Sequence, residues 1–199
     1  MYSDRSGLVL GFHGCDIELR DKVILGQEQL RKSTNSYDWL GHGIYFWENS
    51  PARALDFAEE LQRNSKKRTQ KISTPAVLGA VIDLKHCLDL TEFSNLQILK
   101  SGYETLKDLL ETEGLQLPEN LKIGKSNELL MRHLDCAVIE TIHNNNEPSN
   151  RYDSVRGMFT EGEFPYPNAG FKEKNHVQIC IRNPNCIKGF FLPRFNVKF

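Results

Sequence analysis

Residues 37–47, with the sequence Tyr-Asp-Trp-Leu-Gly-His-Gly-Ile-Tyr-Phe-Trp, constrain the fold of this chain more than any other stretch. Polar and aromatic residues lead into a turn through Gly41 and Gly43, where the backbone can bend tightly or approach a ligand closely. A short apolar run follows. Ser50 is a suitable N-cap and Pro51 suits the first helical position, so the pattern predicts a strand that leads into a helix. An aromatic wall beside a glycine turn suits a flat heteroaromatic ligand.

Apolar patterning predicts the remaining elements. Strands are predicted at 8–13, 43–47, 76–84, 88–90, 154–159, 176–182 and 187–192, helices at 51–64, 94–114 and 126–144, and a short helix or turn at 27–32. Because β-rich, α-rich and β-rich segments follow one another, the order indicates an α+β fold rather than alternating βαβ units. The 199 residues support one domain, 1–199, with a small helical insertion at about 94–144 that packs on the sheet.

Composition narrows the class of protein. The net charge of −1 gives no overall field for binding nucleic acid, although a run at 63–71 holds five basic residues and fits either a solvated segment or a nucleic-acid contact. Five cysteines without regular spacing do not make a disulfide framework. Because no apolar run reaches the roughly 20 residues of a membrane helix and no signal-peptide pattern is present, we expect a cytoplasmic protein without a membrane partner.

Two further motifs lie near the ends of the chain. The apolar strand at 8–12 runs straight into His13 and Gly14, which places an imidazole and a glycine amide at a strand end. The predicted strand at 176–182 alternates in polarity and carries Gln178. His176, Cys180 and Cys186 could be drawn as a metal cluster, but a strand and a proline turn would have to bend around the ion, so we expect no metal site.

Together, the His-Gly strand, the Gly-x-Gly-Ile-Tyr-Phe strand and the late strand resemble the ADP-ribosyltransferase superfamily, in the branch of the poly(ADP-ribose) polymerases and diphtheria-like toxins. In that family a glutamate opens the late strand, and Gln178 occupies its position here. The match therefore has the form His-Tyr-Gln instead of His-Tyr-Glu. The resemblance implies a split antiparallel sheet with flanking helices, NAD as the co-substrate and no metal.

The resemblance also implies roles for individual residues. His13 is expected to hydrogen-bond a ribose hydroxyl, Gly14 to meet the nicotinamide carboxamide with its backbone, and Tyr45 to stack on the nicotinamide ring beside the Gly43 turn. A buried structural histidine and a core aromatic residue are the structural alternatives for His13 and Tyr45. Gln178 can retain a hydrogen bond to the ribose but supplies no charge and cannot act as a base. We therefore expect no polymer synthesis.

Other candidates have equally good structural explanations. Glu161 or Glu163 could supply the missing charge, or could form a solvated acidic turn. Arg156 could contact the pyrophosphate through its planar donors, or could pair with one of those two glutamates. Two more residues are candidates for NAD binding. Ser50 could reach the carboxamide or only cap its helix, and Phe57 could form a second aromatic wall or face the core.

The leading hypothesis is an NAD-dependent mono-ADP-ribosyltransferase of a bacterial toxin or phage-defence type. Its acceptor would be a macromolecule, either nucleic acid (RNA or DNA) or protein, and an antitoxin protein is a possible partner. The alternatives are an NAD glycohydrolase, in which water takes the sugar, and a non-catalytic module that binds NAD or ADP-ribose. An RNA 2′-phosphotransferase ranks below these, because the basic phosphate-binding set of that class is not found in order.

Overall fold

The computed structural model describes residues 7–64, 72–123 and 128–194. Most of the basic run at 63–71 therefore lies outside the described residues. The strands are β1 Val9–Asp16, β2 Ile44–Glu48, β3 Pro75–Ile82, β4 Cys87–Asp89, β5 Asn120–Lys122, β6 Leu129–Arg132, β7 Ser154–Phe159, β8 His176–Ile181 and β9 Ile187–Phe191. The helices are α1 Ile17–Ile24, α2 Pro51–Arg63, α3 Phe93–Thr112 and α4 His133–Asn145, with short 3₁₀ turns at Pro148–Asn150 and Pro184–Cys186.

Seven of the strands form one sheet in the order β4-β7-β8-β2-β1-β3-β9. Every neighbouring pair is antiparallel except β4 and β7, which are parallel. β5 and β6 form a separate antiparallel hairpin. The predicted α+β class is confirmed, and none of the helices in the described part of the chain is long and apolar enough to cross a membrane.

The centre of the sheet has a narrow joint. β1 pairs with β3 along its whole length, from Val9 to Asp16, but it pairs with β2 only at Gly11 with Glu48 and Phe12 with Trp47. β2 in turn pairs with β8 from Ile44 onwards. The strand ends beyond the joint, from His13 in β1 and up to Phe46 in β2, are therefore not paired with each other. This leaves an opening between the two halves of the sheet.

Helices cover both faces of the sheet. On one face α1 closes a core built around Phe46, Leu78 and Ile179. On the other face α2 packs through Ala54 onto Phe12 and Trp47. Contact between α2 and β1 is so close that a Cβ on Gly14 would lie 2.0 Å from the carbonyl oxygen of Ala54. Glycine at this position is therefore required by packing alone.

Two helices, α3 and α4, lie in the region of the predicted insertion, but its second half differs from the expectation. α3 and α4 pack together through Leu106, Val138 and Ile142, as a helical lobe requires. Residues predicted to be helical from 126 onwards instead include strand β6, and α4 begins only at His133. The helical spacing of apolar residues over 126–144 was misleading, because the backbone of β6 pairs with β5, and β5 lies outside that range.

A second difference lies after β1. The short helix or turn predicted at 27–32 is absent as a helix, and α1 precedes it at Ile17–Ile24. Asp16 begins α1, because its carboxylate accepts a hydrogen bond from the N–H of Glu18 at 2.9 Å. The same carboxylate accepts hydrogen bonds from Ser73 and Thr74. Burial alone would raise the pKa of Asp16, but these hydrogen bonds outweigh it and lower the pKa to about 2.

Candidate functional site

A cavity of about 560 Å³ lies at the opening between β1 and β2. This volume is within the usual range for sites that bind small molecules and cofactors. Seven of the residues predicted from the sequence line it: His13, Gly14, Gly43, Tyr45, Phe57, Glu161 and Gln178. The fold thus brings together residues that are up to 165 positions apart in the chain.

The two ring nitrogens of His13 have different roles, because Nδ1 donates a hydrogen bond and Nε2 can accept one. Its Nδ1 lies 2.8 Å from the carbonyl oxygen of Tyr45, and because a carbonyl can only accept, Nδ1 carries the proton. Burial lowers the pKa of His13, which favours the neutral ring. Nε2 of the neutral ring then has a lone pair, suited to a hydroxyl donor.

The ring and the hydroxyl group of Tyr45 have different roles. The hydroxyl donates to the carbonyl of Gly41 at 2.7 Å and accepts from the N–H of Leu40 at 2.8 Å. Burial raises the pKa of Tyr45 well above its usual value, so the hydroxyl stays protonated. With the hydroxyl committed to the turn, the ring is the part of Tyr45 that can serve a ligand in the cavity.

The glycine turn leaves little room for other residues. A Cβ on Gly43 would lie 2.4 Å from Sγ of Cys180, and Gly41 has a φ of +74°. Glu140 fixes the turn from the other side, where one of its oxygens accepts from the N–H of His42 at 2.7 Å. Arg182 binds the same carboxylate with both Nη1 and Nη2, at 2.5 and 2.9 Å. The turn is therefore rigidly positioned beside the cavity.

Gln178 lies deep in the sheet at the edge of the cavity. In register it stands between Trp47 of β2 and Gly157 of β7. Among the described residues its side-chain amide makes no hydrogen bond. Both its donor and its acceptor are thus available to a ligand.

The two acidic candidates differ in position. Glu161 lines the cavity, and its carboxylate lies 2.9 Å from Nη2 of Arg53 and 3.6 Å from Nδ1 of His176. Nδ1 of His176 also lies 2.6 Å from the carbonyl of Lys174, and burial lowers the pKa of His176, so Arg53 is the principal counter-charge of Glu161. Glu163 does not line the cavity, and its side chain is exposed.

Arg156 is also placed away from the cavity. Its guanidinium is buried in an ion cluster, with Nε 2.5 Å from Glu48 and Nη1 3.1 Å from Asp89. Burial disfavours its charge, but the bonds to these two carboxylates raise the pKa of Arg156. The ion-pair explanation thus holds with Glu48 and Asp89 as partners rather than Glu161 or Glu163.

Ser50 and Phe57 have different outcomes. Ser50 precedes α2 as predicted, but its side chain makes no capping hydrogen bond and does not line the cavity. Phe57 does line the cavity and packs on Trp47, with ring centroids 4.9 Å apart. It is therefore a wall of the cavity as well as part of the core.

Sequence reasoning missed several residues of the cavity wall. Arg53 precedes Phe57 by one helical turn, and Trp47 follows Tyr45 on the same face of β2, so helical and strand spacing could have indicated both. Arg31 lines the cavity with an exposed side chain that has no partner among the described residues. Asp38 is buried, accepts from the N–H of Asn35 at 3.0 Å, and has a pKa raised by its burial.

Comparison with known proteins yields one distant relative to report. The chain is 25% identical over 198 residues to an uncharacterized protein of Methanocaldococcus jannaschii, and the match covers 89% of this chain and 83% of that protein. No protein-family model and no solved structure matches the chain. Among the described residues, no group of three or more His, Cys, Asp or Glu side chains is arranged to hold a metal ion.

Proposed function

We propose that this protein is an NAD-dependent mono-ADP-ribosyltransferase, built on the split sheet of the ADP-ribosyltransferase superfamily, that transfers ADP-ribose to a macromolecular acceptor and releases nicotinamide. The observation that carries the proposal is the meeting of His13, Tyr45 and Gln178 around one cavity. These three residues were selected from sequence motifs alone. The narrow joint between β1 and β2 supports the fold assignment, since it opens the sheet where the family binds NAD.

The reaction makes limited demands on the protein. Cleavage of the bond between nicotinamide and ribose builds positive charge on the sugar, so positioning and electrostatic stabilisation supply most of the catalysis. In this proposal the Tyr45 ring stacks on the nicotinamide, Nε2 of His13 accepts from a ribose hydroxyl, and the amide of Gln178 binds the ribose beside the reacting carbon. Nicotinamide leaves as its bond to that carbon breaks, the acceptor forms a new bond to the same carbon, and the proton of the acceptor passes to solvent water.

We assign to Glu161 the role of supplying the negative charge that Gln178 lacks. It lines the same cavity, and only 15% of its side chain is exposed. Its ion pair with Arg53 holds the carboxylate in place but also offsets its charge. A pyrophosphate bound by Arg53 would draw the guanidinium away from Glu161 and restore that charge. Arg31 and Arg53 replace Arg156 as the pyrophosphate contacts, because both line the cavity.

A non-catalytic module that binds NAD or ADP-ribose is the second candidate. It is favoured by the same ion pair, because a Glu161 that stays paired with Arg53 would leave the sugar cation without a stabilising charge. The toxin or phage-defence setting, with an antitoxin partner, belongs to the proposal through the family resemblance alone.

Release of nicotinamide from NAD by the purified protein separates the candidates. The assay is run alone, with total cellular RNA, with DNA and with lysate protein, and each acceptor fraction is then analysed for attached ADP-ribose by mass spectrometry. We expect release that depends on one acceptor fraction. Release without any acceptor and without attachment would identify a glycohydrolase, and saturable NAD binding without release would identify the binding module.

A further inference from the structure

A second cavity, of about 680 Å³, lies between the helical insertion and the sheet. α3 presents Leu96, Leu99, Lys100 and Tyr103 to it, a spacing that places all four on one helical face. The opposite wall comes from β7, with Gly157 and Phe159. The proposed NAD cavity uses none of these residues.

The two cavities share one wall. Trp39 lines both, with its Nε1 hydrogen bonded to the carbonyl of Leu130 at 2.9 Å and its ring 4.7 Å from that of Phe159. Gly157, in the second cavity, is the direct strand partner of Gln178, in the first. A molecule in the second cavity would therefore lie beside the place where the proposed reaction occurs.

The lining combines aromatic rings with three charged side chains, Lys100, Arg132 and Asp135, and Nη1 of Arg132 is paired with Asp135 at 3.3 Å. The guanidinium carbon of Arg132 lies 4.3 Å from the centroid of the Trp39 ring and 4.9 Å from that of Phe159, so a cation is stacked on aromatic rings in the wall. Tyr103 adds a third ring. Lys100 is exposed and makes no hydrogen bond or ion pair with any other described residue. Among the charged side chains of this lining, Lys100 is therefore the one that is not ion-paired, because Asp135 is paired with Arg132.

We propose that this second cavity binds a nucleotide unit, with the base stacked against the Tyr103 ring and the Arg132 guanidinium that covers Trp39 and Phe159, and with the phosphate neutralised by Lys100. Aromatic side chains and guanidinium planes are the usual stacking surfaces for unpaired bases, and every base has a face that can use them. A purely apolar ligand would leave Lys100 without a role. The proposal rests on the proposed function in one respect: it makes the bound nucleotide, when part of a strand, the acceptor of ADP-ribose.

The same chemistry has two sources, a free mononucleotide and a nucleotide within a single strand. Fluorescence anisotropy of labelled single-stranded RNA and DNA 12-mers, in competition with the unlabelled 5′-mononucleotides, is measured without NAD, so that binding is independent of catalysis. Binding of the strands assigns an acceptor site. Binding of mononucleotides alone assigns a site for a free nucleotide, and both results support the cavity as a nucleotide site.

Two variants locate the bound nucleotide. Lys100→Gln is expected to weaken binding and to lower the slope of log affinity against log salt by about 0.7, as loss of one single-strand phosphate contact requires. Leu96→Trp fills the cavity from an exposed lining position on α3 and is expected to weaken binding by roughly tenfold, through loss of base stacking. Lys107→Gln, on the same helix but paired with Glu111, is the matched control.

The rise in the thermal unfolding midpoint that NAD produces should be unchanged in both variants, which separates this inference from the proposed function. No binding of strands or mononucleotides by the wild-type protein would overturn the inference, whatever the NAD assay shows. Binding that is lost in Tyr45→Ala but retained in Lys100→Gln and Leu96→Trp would also overturn it, by moving the nucleotide to the NAD cavity.

Discussion

Tyr45 shows how one residue can serve both the fold and the site. Its hydroxyl joins the N–H of Leu40 to the carbonyl of Gly41, while its ring lines the cavity. The two functions can therefore be separated by two substitutions. One removes only the hydroxyl, and the other removes the ring as well.

Tyr45→Phe should retain a substantial part of the nicotinamide release but lower the free energy of unfolding by about 1–3 kcal/mol, because the buried N–H of Leu40 loses its partner. Tyr45→Ala should reduce release by at least about tenfold, because the stacking ring is lost. Tyr166→Ala, at an exposed position outside the cavity, is the control for both. Release and urea unfolding are measured on each protein. Wild-type release by Tyr45→Ala would exclude Tyr45 from the site.

Gln178→Glu tests whether the site lacks only charge. The variant should hydrolyse NAD faster than the wild type, because a carboxylate beside the ribose stabilises the sugar cation. Gln97→Glu, an equivalent change on the exposed side of α3, should have no effect. Nicotinamide release without acceptor is the measurement. A collapse of both hydrolysis and transfer would show instead that the amide of Gln178 is needed for its own hydrogen-bond geometry.

The protonation of His13 should set a lower pH limit for nicotinamide release. Because its burial lowers the pKa below the usual value of 6.5, the neutral ring persists as the pH falls through 6.5 and is lost only at lower pH. Protonation converts Nε2 from an acceptor into a donor, so release should be level from about pH 8 to 6.5 and fall below that. NMR titration of the imidazole assigns the pKa. A decline in rate that begins above pH 6.5 would contradict this role for His13.

At the scale of the elements, α4 depends on the hairpin that precedes it. The helix has no side-chain cap of its own, and the amide oxygen of Asn120 in β5 accepts from the N–H groups of Leu134 and Asp135 at 2.9 and 3.2 Å. The amide nitrogen of Asn120 donates to Asp135 at 2.9 Å. Hairpin and helix therefore form as one unit.

Asn120→Ala should lower the free energy of unfolding by about 0.5–2 kcal/mol, the usual effect of removing a helix cap. Asn175→Ala, at an exposed position outside any helix or strand, is the matched control. Urea unfolding followed by circular dichroism measures both variants. Equal stability of Asn120→Ala and the wild type would mean that water satisfies these N–H groups as well as Asn120 does.

The elements that sequence predicted correctly are those whose pattern is local. β2 and α2 follow from the glycine turn and Pro51, and β3 follows from its continuous apolar run. The hairpin β5–β6 was missed because Leu130 fits a helical stripe with Val138 and Ile142, and only pairing with β5 places it in a strand. α1 was missed because Asp16, its N-cap, is also held by Ser73 and Thr74, which are distant in sequence.

At the scale of the whole molecule, the candidate site shows the same difference between residues with a local sequence pattern and residues that only distant contacts bring together. His13, Tyr45 and Gln178 could be selected from motifs, because each motif carries its own signal. Arg31 belongs to no motif, and Asp38 lies within the 37–47 stretch without a predicted role. Both line the cavity because the fold places the loop before β2 against it. The second cavity depends on the packing of α3 against β7, so no local pattern could predict it.

NAD binding should stabilise the entire domain. A ligand that binds only the folded state, present at 100 times its dissociation constant, adds about 2.7 kcal/mol to the free energy of unfolding. Thermal unfolding with increasing NAD should therefore show a rising midpoint in the wild type and in Tyr166→Ala, and a much smaller rise in Tyr45→Ala. An unchanged midpoint for the wild type at millimolar NAD would contradict binding at the proposed cavity.

The short joint between β1 and β2 has a further consequence for motion. Among the described residues, two ladder pairs join the half-sheet β4-β7-β8-β2 to the half-sheet β1-β3-β9, together with hydrogen bonds from the N–H of Asn49 to Leu10 and from His13 to Tyr45. Neighbouring strands within each half share longer ladders. The amide proton of Phe12, which faces β2, should thus exchange with deuterium through local opening, ahead of the amide protons of Gly11 and His13, which face β3. A ligand bound across the two halves would slow that exchange. Exchange at the joint between β1 and β2 would then show whether the cavity is occupied, without any label on the ligand.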